Sequence, residues 1–133
     1  MKPTTQPILL LAGLFGLAGV TLGALGAHAL EETLAGREAT ASWNTAVLYH
    51  LVHTAALLAC GMTGPGRNGR LTRWAAGFFA GGILVFSGSI YLLSLGGPRF
   101  LGPITPVGGL LFMVGWGLIT AAAFRSSGKP SAS

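Results

Sequence analysis

Charge is what this sequence has least of. Only 8% of its 133 residues are Asp, Glu, Lys or Arg, against roughly a quarter in an ordinary soluble domain. Three acids occur, Glu31, Glu32 and Glu38, all in one short stretch. That leaves no pair of carboxylates, and no serine–histidine–acid set, placed to do acid–base or nucleophilic chemistry within an apolar core. A single cysteine, Cys60, excludes an internal disulfide and reads as a small buried apolar residue. No phosphate-cradling glycine loop is present either.

What the chain has instead is apolar length. The hydrophobic set makes up 51% of it, in four runs of about 20 residues, each long enough to cross the hydrocarbon of a bilayer as an α-helix. The expected spans are about 7–29, 43–62, 74–95 and 105–124, a single membrane domain over residues 1–133 with no length left for a separate soluble domain. The first span contains no charged residue and reaches roughly 34 Å at 1.5 Å per residue. Lys2 and the Ala27-His28-Ala29 triplet mimic a secretory signal. The run exceeds the 7–15 residues of a signal core, however, and three more apolar runs follow, so it is read as a span that stays.

Ser42 before the second span and Thr105 before the fourth are expected helix N-caps, with Pro106 in the first turn, where its missing N–H costs nothing. The segment Gly64-Pro65-Gly66-Arg67-Asn68-Gly69-Arg70 is expected to link spans two and three. A short surface helix is a further expectation within Leu30–Ser42. All seven prolines fall in tails, loops or a first turn, so each core can complete its backbone hydrogen bonds, as lipid requires. The runs lack two-residue alternation, which sets aside a β-barrel. The fold class is all-α, a four-helix transmembrane bundle.

The net charge of +5 does not point to nucleic acid, because the basic residues lie between apolar runs and form no solvated face. They do set an orientation. Lys2, Arg67, Arg70, Arg73, Arg125 and Lys129 fall on one side, Arg37 and Arg99 on the other, which puts both termini in the cytoplasm by the positive-inside rule. Trp43 and Trp74 are expected as interfacial anchors and Trp116 as packing.

Twenty-two glycines would weaken soluble helices, but in lipid small residues let backbones approach closely. Gly19, Gly23 and Ala27 in span one, and Gly77 and Gly81 in span three, have the small-xxx-small spacing and are expected to face the inside of the bundle. Polar residues within the spans gather toward one end: His28; Tyr49, His50 and His53 on span two; Ser87, Ser89 and Tyr91 on span three; Thr105 at the start of span four. Counted from Trp43 and Leu95 at 1.5 Å per residue, His53, Ser87 and Tyr91 are expected to bond across spans two and three. Such a layer either fixes helix register or lines a pocket open to the outer side. Three histidines could also converge on a metal or haem, although no carboxylate or cysteine in the spans helps them.

Gly23-Ala24-Leu25-Gly26-Ala27-His28, then Trp43 with Tyr49 and His53, then Phe86-Ser87-Gly88-Ser89-Ile90-Tyr91, and finally Thr105-Pro106-Val107-Gly108-Gly109 with Gly115-Trp116 resemble the YgdD-like family. These are small bacterial inner-membrane proteins of unknown function, with a related small transmembrane protein in animals. The resemblance runs over nearly the whole chain and implies four membrane helices in the plasma membrane, without implying an activity. One position departs: relatives resemble one another in having glutamine after the motif tyrosine, where this chain has His50.

The functional expectation is a non-enzymatic accessory, scaffold or self-associating bundle in the lipid bilayer, with a membrane-protein partner or a second copy, no nucleic acid, no cofactor and no metal. The alternative is a small-molecule, lipid or ion binder or transporter that uses the outward polar pocket. A third reading is an intramembrane metal or haem site.

Overall fold

A computed structural model describes residues 6–63 and 69–126. Lys2, the linker residues Gly64 to Asn68, and Lys129 lie outside the described residues. Among the described residues six α-helices follow in order: α1 (Pro7–Ala27), α2 (Glu31–Gly36), α3 (Thr40–Met62), α4 (Gly69–Gly82), α5 (Gly88–Ser94) and α6 (Thr105–Ser126). A π-helical turn, Ile83–Ser87, joins α4 to α5 as one rod, and a 3₁₀ segment, Arg99–Ile104, leads into α6. Four stretches of the described residues are long and apolar enough to cross a membrane: Pro7–Ala27, Thr40–Met62, Gly69–Ser94 and Arg99–Arg125. Among the described residues there is no strand.

The span boundaries differ from the expected ones for local reasons. Ser42 caps nothing. The chain leaves α2 through Glu38, whose φ of +54° lets the Ala39 N–H return to the Leu34 carbonyl at 2.9 Å, and α3 starts directly at Thr40 with no side-chain cap. The third span begins at Gly69 because the buried stripe Gly69, Thr72, Ala76, Phe79 keeps helical spacing through the basic residues. Arg73 turns back to donate from Nε to the Gly69 carbonyl at 3.1 Å. Thr105 is the first residue of α6, and its hydroxyl donates backward to the Leu101 carbonyl at 3.2 Å instead of capping forward.

The short helix expected between spans one and two is α2, with Glu31 and Glu32 in its first turn, where the helix dipole favours them. It is more than a surface element, because Leu34 is fully buried against Trp43, Ala46 and Tyr91.

In the bundle, α1 lies along α3, α3 packs on α4, the π turn and α5, and α6 lies along α4 and the π turn. Two apolar clusters result. One joins Leu57, Cys60, Ala76, Phe79, Ile83 and Phe112 in the middle. The other gathers Leu34, Ala39, Trp43, Ala46 and Tyr91 at the α2 end.

Close helix approach rests on rings seated over glycines. The Trp43 indole covers Gly26 and the Phe112 ring covers Gly82. At Gly115 an added Cβ would stand 2.6 Å from the Phe79 ring. At Gly108 it would meet backbone atoms of Phe86, in the π turn.

Gly19 and Gly23 do lie in the α1–α3 seam, against Leu51 and His50 and against Val47 respectively. Ala27 and Gly77 do not sit inside. Ala27 is exposed because the seam follows Gly26 at the end of α1, and Gly77 is exposed with nothing within 4 Å of an added Cβ. Gly81 makes only an ordinary contact with Leu111, so the close approach on α4 falls one residue later, at Gly82.

Candidate functional site

Every third or fourth residue of α3 from Trp43 onward is buried, through Ala46, His50, His53, Thr54, Leu57 and Cys60. That stripe carries both intramembrane histidines into the bundle. They do not meet the same partners.

His50 is 4% exposed. Its Nε2 lies 2.9 Å from the Phe15 carbonyl on α1, and its Nδ1 lies 3.1 Å from the Tyr91 hydroxyl on α5. A carbonyl only accepts, so in the neutral ring Nε2 carries the hydrogen and Nδ1 accepts from the tyrosine. Tyr91 in turn packs its ring on Trp43 at 4.8 Å between centroids, and the Trp43 Nε1–H donates to the Leu22 carbonyl at 3.0 Å. Trp43 is therefore 1% exposed and belongs to the core, contrary to its expected place as an interfacial anchor. Trp74, 59% exposed, is positioned to fill that part.

His53 takes the other tautomer. Its Nδ1 donates to the Tyr49 carbonyl one turn back at 2.7 Å, and its Nε2 accepts from the Trp116 Nε1–H at 3.2 Å. The ring stacks on Phe112, 3.5 Å between centroids and 11° from parallel. The expected bonding of His53 with Ser87 and Tyr91 is thus replaced by contact with α6. Trp116, expected only to pack, is the hydrogen-bond donor.

The remaining polar candidates divide similarly. Ser87, fully buried, donates to the Ala46 carbonyl on α3 at 2.8 Å. Ser89 and Thr105 share a 2.6 Å hydrogen bond between α5 and α6. Tyr49 is half-exposed and packs its ring on Phe86 at 4.7 Å. His28 lies at the exposed end of α1, apart from the others.

The arrangement is a set of pairwise ties between helices. In the neutral rings both nitrogens of His50 and of His53 are engaged, leaving no lone pair aimed at a shared point. Among the described residues no three His, Cys, Asp or Glu side chains converge as metal ligands. Beside the Phe79–Trp116 edge contact lies a cavity of about 250 Å³ walled mainly by Ala56, Ala59, Cys60 and Ile119, an apolar space toward the Met62 end of α3.

Sequence reasoning missed Trp43, Trp116 and the Phe15 carbonyl as partners. For Trp43 a signal was there: it falls on the same helical stripe as Ala46, His50 and Leu57.

Four apolar helices tied together within the span by hydrogen bonds define a multi-pass α-helical membrane protein. Residues 22–109 match the family model "Protein of unknown function (DUF423)". A UPF0382 membrane protein of Staphylococcus epidermidis is 37% identical over 120 residues, 90% of this chain and 97% of the relative. The UPF0382 inner membrane protein YgdD of Escherichia coli K12 is 36% identical over 127 residues, 95% of each chain. The chain belongs to this uncharacterised family, and it fits a multi-pass protein of the bacterial plasma (inner) membrane. No solved structure matches it.

Proposed function

We propose that this protein is a non-enzymatic membrane scaffold, which acts by receiving a transmembrane helix of a partner protein or of a second copy. The reading rests on one contrast: His50, His53, Ser87, Ser89, Tyr91 and Thr105 are engaged within the chain, whereas a glycine-edged groove is open to the surroundings. That groove, about 210 Å³ and mostly apolar, runs between α1 and α4, with Leu57 of α3 at its floor, Ile8 and Leu11 on one wall and Arg73, Ala76 and Gly77 on the other. Helix association in lipid depends on close van der Waals fit, which small residues permit. Gly77 offers that fit, since nothing among the described residues comes within 4 Å of an added Cβ there.

The scaffold sits with both termini in the cytoplasm. Support comes from the basic residues: Arg70, Arg73 and Arg125 stand at the end where α1 begins and α6 finishes, Arg37 and Arg99 at the other.

The test is cross-linking in native membranes followed by purification in mild detergent, for the wild type and for Gly77→Leu. An added Cβ there meets nothing within 4 Å and the rest of a leucine extends into the open groove, so the variant is expected to fold normally and to lose the cross-linked complex. A self-complex marks the second copy as occupant, and a stoichiometric different protein marks an accessory role. A wild type that cross-links to nothing, or a Gly77→Leu protein that keeps its complex, would overturn the groove as the contact.

A further inference from the structure

At the opposite end from that groove lies a polar cleft of about 360 Å³, formed where α2 turns into α3 and where α5 ends. Arg37, Glu38, Ser42, Thr45, Leu93 and Ser94 line it. None of the eight polar residues singled out by sequence takes part.

Two observations point to a ligand in the cleft. Ser94 is 4% exposed and lines the cleft, and its hydroxyl has no hydrogen-bond partner. A buried hydroxyl in that state is rare and calls for a partner. The cleft is also lined by two adjacent residues of opposite charge, Arg37, whose guanidinium lies over Gly96, and Glu38, so its formal charge sums to zero.

We infer that this cleft binds a phosphoethanolamine group, the zwitterionic headgroup of a membrane lipid. The phosphate fits Arg37 and the Ser94 hydroxyl, in the charge-assisted geometry that guanidinium favours. The primary ammonium fits Glu38 and the Ser42 and Thr45 hydroxyls, and Leu93 with Ile90 supplies an apolar wall for the glycerol and first acyl carbons. A net-negative headgroup would meet the Glu38 carboxylate without compensation. A quaternary ammonium would call for an aromatic cage, and no aromatic residue lines the cleft. The level is suitable, because Thr40 begins one span and Ser94 ends another, where apolar helices emerge among headgroups.

The experiment titrates the full chain, delipidated in mild detergent, with phosphatidylethanolamine, phosphatidylcholine and phosphatidylglycerol of matched acyl chains, read by native mass spectrometry. Phosphatidylethanolamine is expected to bind about tenfold more tightly than either, as the loss of one charge-assisted bond implies. Arg37→Gln is expected to remove most of that preference. Ser94→Ala is expected to weaken phosphatidylethanolamine binding while leaving the ligand-free melting temperature equal or higher, because it removes an unpartnered hydroxyl. Competition by soluble glycerophosphoethanolamine supports recognition of the headgroup whichever molecule carries it, and binding without such competition supports the membrane lipid as its source. Equal binding of the three lipids, a preference that survives Arg37→Gln, or a Ser94→Ala protein that melts lower when ligand-free would overturn the assignment.

Discussion

His50 and His53 stand three residues apart on one helix, both buried, and they are held in different ways. His50 belongs to a polar seam: it spans from an α1 carbonyl to an α5 hydroxyl, with the Phe15 ring edge-on at 5.9 Å. His53 belongs to an aromatic seam, stacked on Phe112 and touched by Trp116 and Phe79. The difference shows how a protein with little hydrophobic drive between its helices uses two sources of order. Hydrogen bonds fix which helices meet and at what height. Rings over glycines fix how closely they approach.

The sharpest way to break the comparison is to remove the ring from each seam. Trp43→Ala strips the indole from Gly26 and ends its bond to Leu22, and Phe112→Ala empties the space over Gly82. Each is expected to cost about 3–5 kcal/mol, measured by unfolding in mixed micelles; a loss at only one site would show that one seam carries the fold. Next comes Gly108→Val, whose added carbons meet the Phe86 backbone, which cannot swing away as a side chain can. About 3 kcal/mol is expected from that overpacking, read as a drop in melting temperature, whereas Gly117→Val, in open space, should leave it nearly unchanged.

The histidines themselves give smaller effects and a finer distinction. His50→Ala leaves the Tyr91 hydroxyl and the Phe15 carbonyl without their partner and is expected to cost about 1–3 kcal/mol. His50→Gln, which carries both a donor and an acceptor, should recover much of that. His53→Phe keeps a ring on Phe112 and loses the bonds to Trp116 and to the Tyr49 carbonyl, for about 0.6 kcal/mol each. The same micelle unfolding assay ranks the three. A His53→Phe protein as unstable as His50→Ala would erase the distinction between the seams.

The four spans were legible in the sequence because their signal is one-dimensional: apolar length, and prolines kept to the ends. The polar partners were less legible because they depend on axial offset and helix rotation. Starting α3 at Trp43 rather than Thr40 misplaces its residues by three positions, about 4.5 Å, close to one turn. That is enough to give His53, on paper, the depth along α3 that His50 occupies in the fold, where His50 meets Tyr91. The glycine stripe was read along one face, and it holds for Gly19 and Gly23. At the helix end the real seam shifts to Gly26, because the Trp43 ring selects the nearest position without a side chain. The polar cleft beside Ser94 left no mark in the pattern at all, since Arg37 and Glu38 read simply as loop charges.

The π-helical turn at Ile83–Ser87 makes the third rod behave like a shaft with slack wound into one turn. Each residue advances an α-helix by about 100°, and a π turn holds roughly one residue more than an ideal turn would. The extra residue is consequently stored in the turn without changing the angle beyond it. Deleting one residue there would let the rod relax to even winding with α5 nearly in its present phase, whereas deleting one from the regular winding of α4 would turn everything after it about a quarter-revolution, carrying Tyr91 off His50 and Ser89 off Thr105 together. In this segment the chain can give up a residue and keep its timing; outside it, a lost residue is a slipped gear.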